Sequence, residues 1–244
     1  MPVWVPPQKA RWRANSARKF LIDKNTLNDR ISRLPYQLTN SQIHAINEIQ
    51  ADLKSGNPMN RLLQGDVGSG KTVVAKFAIE AVIDNHSQAA ILAPTSILAE
   101  QHFNTLSHLL VESGSILINE IALLIGNTPQ KEKQNIFDNL KTNKIKCLIG
   151  THALLEDPVV FKDLQIAIID EQHRFGVNQR NTLKSKGENL HLLVMSATPI
   201  PRSLALTVYG DLDVSVMDEM PPGRKPVNTI LLNHSERKKA YKLI

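Results

Sequence analysis

Gly65, Gly70, Lys71 and Thr72 fall at the spacing Gly-x-x-x-x-Gly-Lys-[Ser/Thr], inside the stretch LLQGDVGSGKTVVAKFAI at residues 62–79. Glycines let a backbone curl until successive N–H groups converge on one anion, and a helix starting there adds the positive end of its dipole. In such a loop Lys71 reaches the β- and γ-phosphates of a nucleoside triphosphate and the Thr72 hydroxyl ligates Mg²⁺. Gly65, Gly68, Ser69 and Gly70 form the cradle. A glycine-rich turn with a solvated lysine is the alternative. Against it stand the short run Leu62 to Gln64 before the loop and Val73, Val74, Phe77 and Ala78 at helical spacing after it, which give the strand, loop and helix that the motif requires.

Three further groups of residues can do chemistry beside such a loop. LQIAIIDEQHRFG reads as a buried strand ending in Asp170 and Glu171. One carboxylate there can hold the Mg²⁺ shell, and its neighbour can orient and deprotonate an attacking water. LVMSATP ends a strand in Ser196, Ala197 and Thr198. The hydroxyls of Ser196 and Thr198 can hydrogen-bond His173 and couple the nucleotide to a neighbouring surface, although Ser-Ala-Thr alone is an ordinary turn. In LTNSQ, Thr39 and Gln42 stand three apart at a helix start, the spacing of a capping box. The amide of Gln42 can also pair with an adenine edge, and local chemistry leaves both readings open.

Positioning these residues takes a particular arrangement of elements. RLLQG, AAILAP, IALLIG, IKCLIGTH, IAIIDEQ and HLLVMSAT are nearly continuous Val/Ile/Leu/Ala, the pattern of strands buried on both faces. Helical patterns fall between them at 41–54, 72–84, 96–112, 129–141 and 177–186. Alternating strands and helices imply an α/β fold with a doubly wound, mostly parallel sheet covered on both faces. Ligands of such sheets bind beyond the carboxyl ends of the strands, where the residues above fall. Residues 1–34 read as a basic, proline-rich and then loosely helical connector, 35–223 as the nucleotide-binding domain, and 224–244 as a linker and the start of a further unit. In that last stretch NTILLN is a candidate strand and SERKKAYKLI a candidate helix start.

Composition narrows the class. The 244 residues, 42% hydrophobic, suffice for a sizeable core. The single cysteine, Cys147, excludes an internal disulfide framework and suits a reducing cytoplasm. No apolar run approaches membrane-spanning length, so no membrane partner is expected. Net charge is +6 and unevenly placed, with basic stretches at 1–33 and 224–244 around a mildly acidic middle. Basic ends suit a phosphate backbone, or simply make solvated faces.

In sequence order, LTNSQ, GDVGSGKT, APTSILAEQH, IGTHALL, DEQH and SATP resemble the motifs of superfamily 2 helicases. DEQHRFGVNQR and SATPIPRSLALTVYGDLDVSVMDEMPPGR are similar to the RecG-type branched-DNA helicases, over about Leu34 to Arg224. The resemblance implies a RecA-like domain that uses ATP and Mg²⁺, with Gln42 reading adenine, Lys71 and Thr72 at the phosphates and Mg²⁺, Asp170 and Glu171 at metal and water, and His173, Ser196 and Thr198 coupling. It also implies that Pro94, Thr95, Gly126, Thr151 and His152 line a face following one DNA strand, in a monomer acting on forks and junctions. Relatives carry a wedge domain before this core and a second RecA-like domain, with the arginine fingers, after it. Neither fits in 244 residues. The transcription-repair coupling translocases share much of this motor, but DEQH stands here where they usually carry DEEH.

Overall fold

In the computed structural model, which describes residues 16–171, 177–198, 212–221, 231–233, 237 and 241, the apolar runs lie side by side in one sheet. Its strands are β1 (Asn60–Gly65), β2 (Gln88–Leu92), β3 (Ile121–Leu124), β4 (Cys147–Gly150), β5 (Leu164–Asp170), β6 (His191–Ser196) and β7 (Asp213–Met217). Their spatial order is β3-β4-β2-β5-β6-β1-β7, and every pairing is parallel. Two helices, α1 (Lys24–Ser32) and α2 (Asn40–Ser55), precede β1; parallel neighbours need long crossovers, and α3 (Lys71–Ile83), α4 (Ser96–Glu112), α5 (Gln130–Lys141) and α6 (Val177–Ser185) run within them.

Alternation along each strand divides the core in two. Leu63, Ile91, Ile149, Ile168 and Leu193 pack on the side of α2, α3 and α4, while Leu62, Leu92, Leu148, Ile169 and Val194 pack on the side of α5 and α6. A fully buried leucine or isoleucine side chain contributes about 1.5–3 kcal/mol, so these two layers hold the strand ends in fixed register. The doubly wound α/β sheet expected from the sequence is present.

Two elements were not singled out in the sequence. β7 adds a parallel edge strand beside β1, with Gly65 level with Met217. α1 and the segment before it pack into the same core as α2 and α3. Phe20 is buried and meets the His191 ring edge-on at 5.5 Å. The Phe20 and Ala17 N–H groups donate to the Leu53 and Gly56 carbonyls, and Arg30 donates to both oxygens of Asp84 at 2.6 and 2.9 Å. Beneath it, Lys76 Nζ lies 2.9 Å from Glu80 Oε1, both buried, and the Ser113 and Ser115 hydroxyls donate to the same carboxylate. Buried charges are tolerable only when paired and hydrogen-bonded in this way.

Residues 1–15, the linker after Pro221, the first half of NTILLN and most of SERKKAYKLI lie outside the described residues. Among the described residues no helix is long and apolar enough to cross a membrane.

Candidate nucleotide site

β6 lies between β1 and β5, with Gln64 level with Ser196 and Asp170 level with Met195. Adjacent strands are about 4.8 Å apart, so the ends of β1, β6 and β5 set Gly65, Ser196 and Asp170 in a row about 10 Å long. All three sit on the carboxyl edge of the sheet.

The loop after β1 has the shape that its glycines permit. Gly70 has φ +88°, a left-handed conformation that a side chain would strain, and it caps α3 without any side-chain hydrogen bond. The N-terminal donors of α3 are therefore left uncapped by side chains. Gly65 is required by crowding: a Cβ there would lie 2.6 Å from Ser69 Oγ and 2.9 Å from Met217 Cβ. Ser69 is wholly buried, and its hydroxyl has no hydrogen-bond partner among the described residues. Lys71 Nζ curls over the loop and donates to the carbonyls of Gly65 at 2.7 Å and Asp66 at 3.0 Å. Burial pushes its pKa below the ordinary lysine value, opposed by the charges of Asp170, Glu171 and Asp66. Asp170, at the end of β5, and Glu171 after it thus act electrostatically on the loop lysine.

Gln42 takes up the helix cap, one of the two readings that the sequence left open. Its backbone N–H donates to Thr39 Oγ1 at 3.2 Å and its Oε1 accepts from Thr39 N–H at 2.8 Å, a complete capping box at the start of α2. Its Nε2 also donates to the Ser69 carbonyl at 2.8 Å. The cap therefore braces the loop. Beside it opens a cleft of about 570 Å³ walled by Tyr36, Gln37, Gln42, Gly70, Thr72 and Pro221. Glu219, just before Pro221, accepts from the Asn40 and Ser41 N–H groups at 2.9 and 3.4 Å. This ties the segment after β7 to the wall of the cleft.

Asp170 is buried, and His102 Nε2 on α4 lies 2.8 Å from its Oδ2. Glu171 has φ +51°, a left-handed conformation unusual for a residue with a side chain. Its N–H donates to the Met195 carbonyl at 3.0 Å. Thr198 N–H donates to Ser196 Oγ at 3.2 Å and the two hydroxyls are 2.8 Å apart, a turn closed on itself. His173 lies outside the described residues.

Pro94, Thr95, Gly126, Thr151 and His152 follow the ends of β2, β3 and β4, on the other half of the same edge. Thr95, Gly126 and His152 are exposed, Pro94 is half-buried and Thr151 is buried. Thr95 Oγ1 caps α4 by accepting from Leu98 N–H at 3.3 Å.

Motif reasoning missed His102, Tyr36 and Pro221. His102 stands within APTSILAEQH and Tyr36 just ahead of LTNSQ, but no spacing rule joins either to a partner so far along the chain. The family pattern of the DEAD/DEAH box helicases matches residues 39–207. The ATP-dependent DNA helicase RecG of Aquifex aeolicus is 48% identical over 239 residues, covering 97% of this chain and 30% of the relative. That of Thermotoga maritima is 54% identical over 217 residues, covering 88% and 27%. The chain thus spans about a third or less of these curated relatives. The solved structure of RecG bound to a three-way DNA junction superposes with a TM-score of 0.83 at 46% identity, over 97% of this chain and 31% of that one. The DEAD-box helicase Mss116 bound to ssRNA, at 20% identity and a TM-score of 0.61, shares the fold. With the loop, the acid pair and the parallel sheet of such domains in place, the chain belongs to the DEAD/DEAH box helicase family.

Proposed function

We propose that this chain is the ATP-binding motor unit of a DNA helicase or translocase that remodels branched DNA, forks and junctions. The reading rests on one observation above the rest: the Lys71 loop and the Asp170–Glu171 pair stand at the ends of strands separated only by β6. A relative of high identity was solved on a three-way junction, which supports branched DNA as the substrate.

The residues fit a Mg²⁺-bound triphosphate. The start of α3 offers backbone donors and no competing side-chain cap. Lys71 exchanges two carbonyls for phosphate oxygens, a charge-assisted contact about twice as strong as a neutral one. Thr72 and Asp170 hold the metal, which when bound neutralises phosphate charge. Glu171 accepts the proton of the attacking water. The base enters the cleft beside Tyr36, where a half-exposed ring can stack on it, and the Gln42 amide reads its edge. Ser196 and Thr198, with His173, carry the change at the phosphates toward the DNA face. On that face, a Cβ added at Gly126 would meet nothing within 4 Å. The fold does not demand glycine there, whereas the close passage of a DNA strand does. A second motor domain and a wedge domain complete the machine in the whole protein.

The experiment is calorimetric titration of the purified chain with ATP and Mg²⁺. Lys71→Ala is expected to abolish measurable binding, because the phosphates lose their main protein cation in a partly desolvated site. Unchanged affinity refutes the reading.

A further inference from the structure

We propose that His102 is a positioning residue for the Mg²⁺ site: it holds the Asp170 carboxylate in the orientation from which that carboxylate serves the metal shell. The inference rests on the reading of Asp170 given above and extends it to a residue with no assigned role.

The geometry carries it. His102 Nε2 is 2.8 Å from Asp170 Oδ2, and both side chains are 11% exposed, so the contact is largely shielded from water. An ionised carboxylate can only accept, so the hydrogen of this bond sits on Nε2. The imidazole thereby engages one carboxylate oxygen and leaves Oδ1 for the metal shell.

The histidine is itself held firmly. It lies on the face of α4 that carries Ala99 one turn before it and Leu106 one turn after it, at the three- and four-residue spacing of neighbours on a helix. Both are buried, at 0% and 1% exposure. Thr95 caps the start of the same helix, and its body is anchored in the core shared with α2 and α3. A carboxylate at a strand end would otherwise rotate freely about its side-chain bonds. A histidine fixed by a packed helix removes that freedom before the metal arrives, and outer partners of this kind are typically worth 10–100-fold in metal affinity or activity.

A purely structural role, tying α4 to β5, would show itself differently. It would change folding stability and nucleotide affinity alike, with or without metal. The positioning role moves only the metal dependence.

The test uses the 244-residue chain and fluorescent mant-ATP, first in EDTA and then titrated with Mg²⁺. His102→Asn withdraws the donor from Asp170, because its amide nitrogen ends short of the Nε2 position. His102→Gln places an amide nitrogen close to that position. Both variants keep a small polar side chain, and their melting curves are recorded alongside. The Asn variant is expected to bind mant-ATP in EDTA as the parent does, but to need about tenfold more Mg²⁺ for half-saturation of the metal-dependent signal. The Gln variant is expected to recover most of that loss. In an Asp170→Asn background the His102→Asn shift should vanish, since the two residues act as one unit. The proposal is overturned if His102→Asn leaves the Mg²⁺ requirement unchanged, if Asn and Gln behave alike, or if the shift persists undiminished in the Asp170→Asn background. Failure of the parent chain to bind mant-ATP in EDTA and in Mg²⁺ instead overturns the nucleotide reading itself.

Discussion

Asp170 and Glu171 are adjacent in the chain and held by different means. Asp170 ends β5, buried, with His102 on one oxygen. Glu171 has left the strand for a left-handed conformation that costs of order 1 kcal/mol and is secured through its backbone to Met195. The first placement suits a fixed ligand and the second a side chain aimed at a moving water. In a protein containing both motor domains, Glu171→Gln should leave ATP and Mg²⁺ bound but unhydrolysed, because an amide orients water yet cannot take its proton. Asp170→Asn should instead raise the Mg²⁺ requirement. Binding and single-turnover measurements on the pair check this, and identical profiles would remove the proposed division of labour. Lys71 and the two acids were legible in the sequence because their chemistry is written in local spacing. His102 was not, because its partner lies 68 residues away and only the packing of α4 against the sheet brings them together.

At the scale of elements, the crossovers and buried strands were legible to within two residues at each end, because continuous apolar runs and helical periodicity leave few alternatives. β7 was not. DVSVM is a five-residue edge strand beside acidic residues, with only Ser215 and Met217 buried, and such strands carry little hydrophobic signal. α1 has no buried residue of its own and follows a proline-rich start, so its docking shows only in three dimensions. That docking makes a measurable demand. Burial pushes the His191 pKa down to about 4 from 6.5, against the opposing hydrogen bond to the Arg18 carbonyl, so the folded chain holds the ring neutral. Met59 N–H donates to Nδ1 at 3.1 Å, which a protonated ring could not accept. The unfolded chain binds the proton first as pH falls, so this stability is full above pH 6.5 and is lost between there and about 4. In urea melts at pH 7 and pH 5, the advantage of the parent over His191→Gln should shrink by about 2 kcal/mol, whereas a constant difference would mean that the ring is not held neutral. Under the proposed function Gly126 would make the opposite demand, on function and not on folding. Gly126→Leu should change stability by no more than about 0.5 kcal/mol yet weaken single-stranded DNA binding in a filter or anisotropy assay. A variant that binds DNA as the parent does would take Gly126 off the DNA path.

The proposed function puts nucleotide chemistry on one half of a sheet edge and the candidate DNA track on the other, and a phosphoryl transition state needs more cations than Lys71 and a metal ion would supply. Charge on the transferring oxygens would be met by Mg²⁺, by Lys71 and, in related motors, by an arginine from across a cleft that is worth about 10³ to 10⁵ in rate. Arg174 and Arg202 are the nearest in sequence to the site motifs, and both lie outside the described residues. Each follows a segment that resembles coupling or sheet-end elements, and the family resemblance puts the finger on a second motor domain. The chain covers 30% of its Aquifex relative, whereas both faces of its sheet are packed by helices. It should therefore fold, bind ATP weakly and hydrolyse it barely above background. DNA would meet half a track, so binding should be weak, indifferent to sequence and steeply reduced by salt. The measurement is turnover by purified residues 1–244 with and without forked DNA, then with a second motor domain added in trans. Restored turnover on that addition supports an arginine supplied from outside. Robust fork-stimulated turnover by the chain as a monomer would show that the cation is already present within these 244 residues, and the search would return to Arg174 and Arg202.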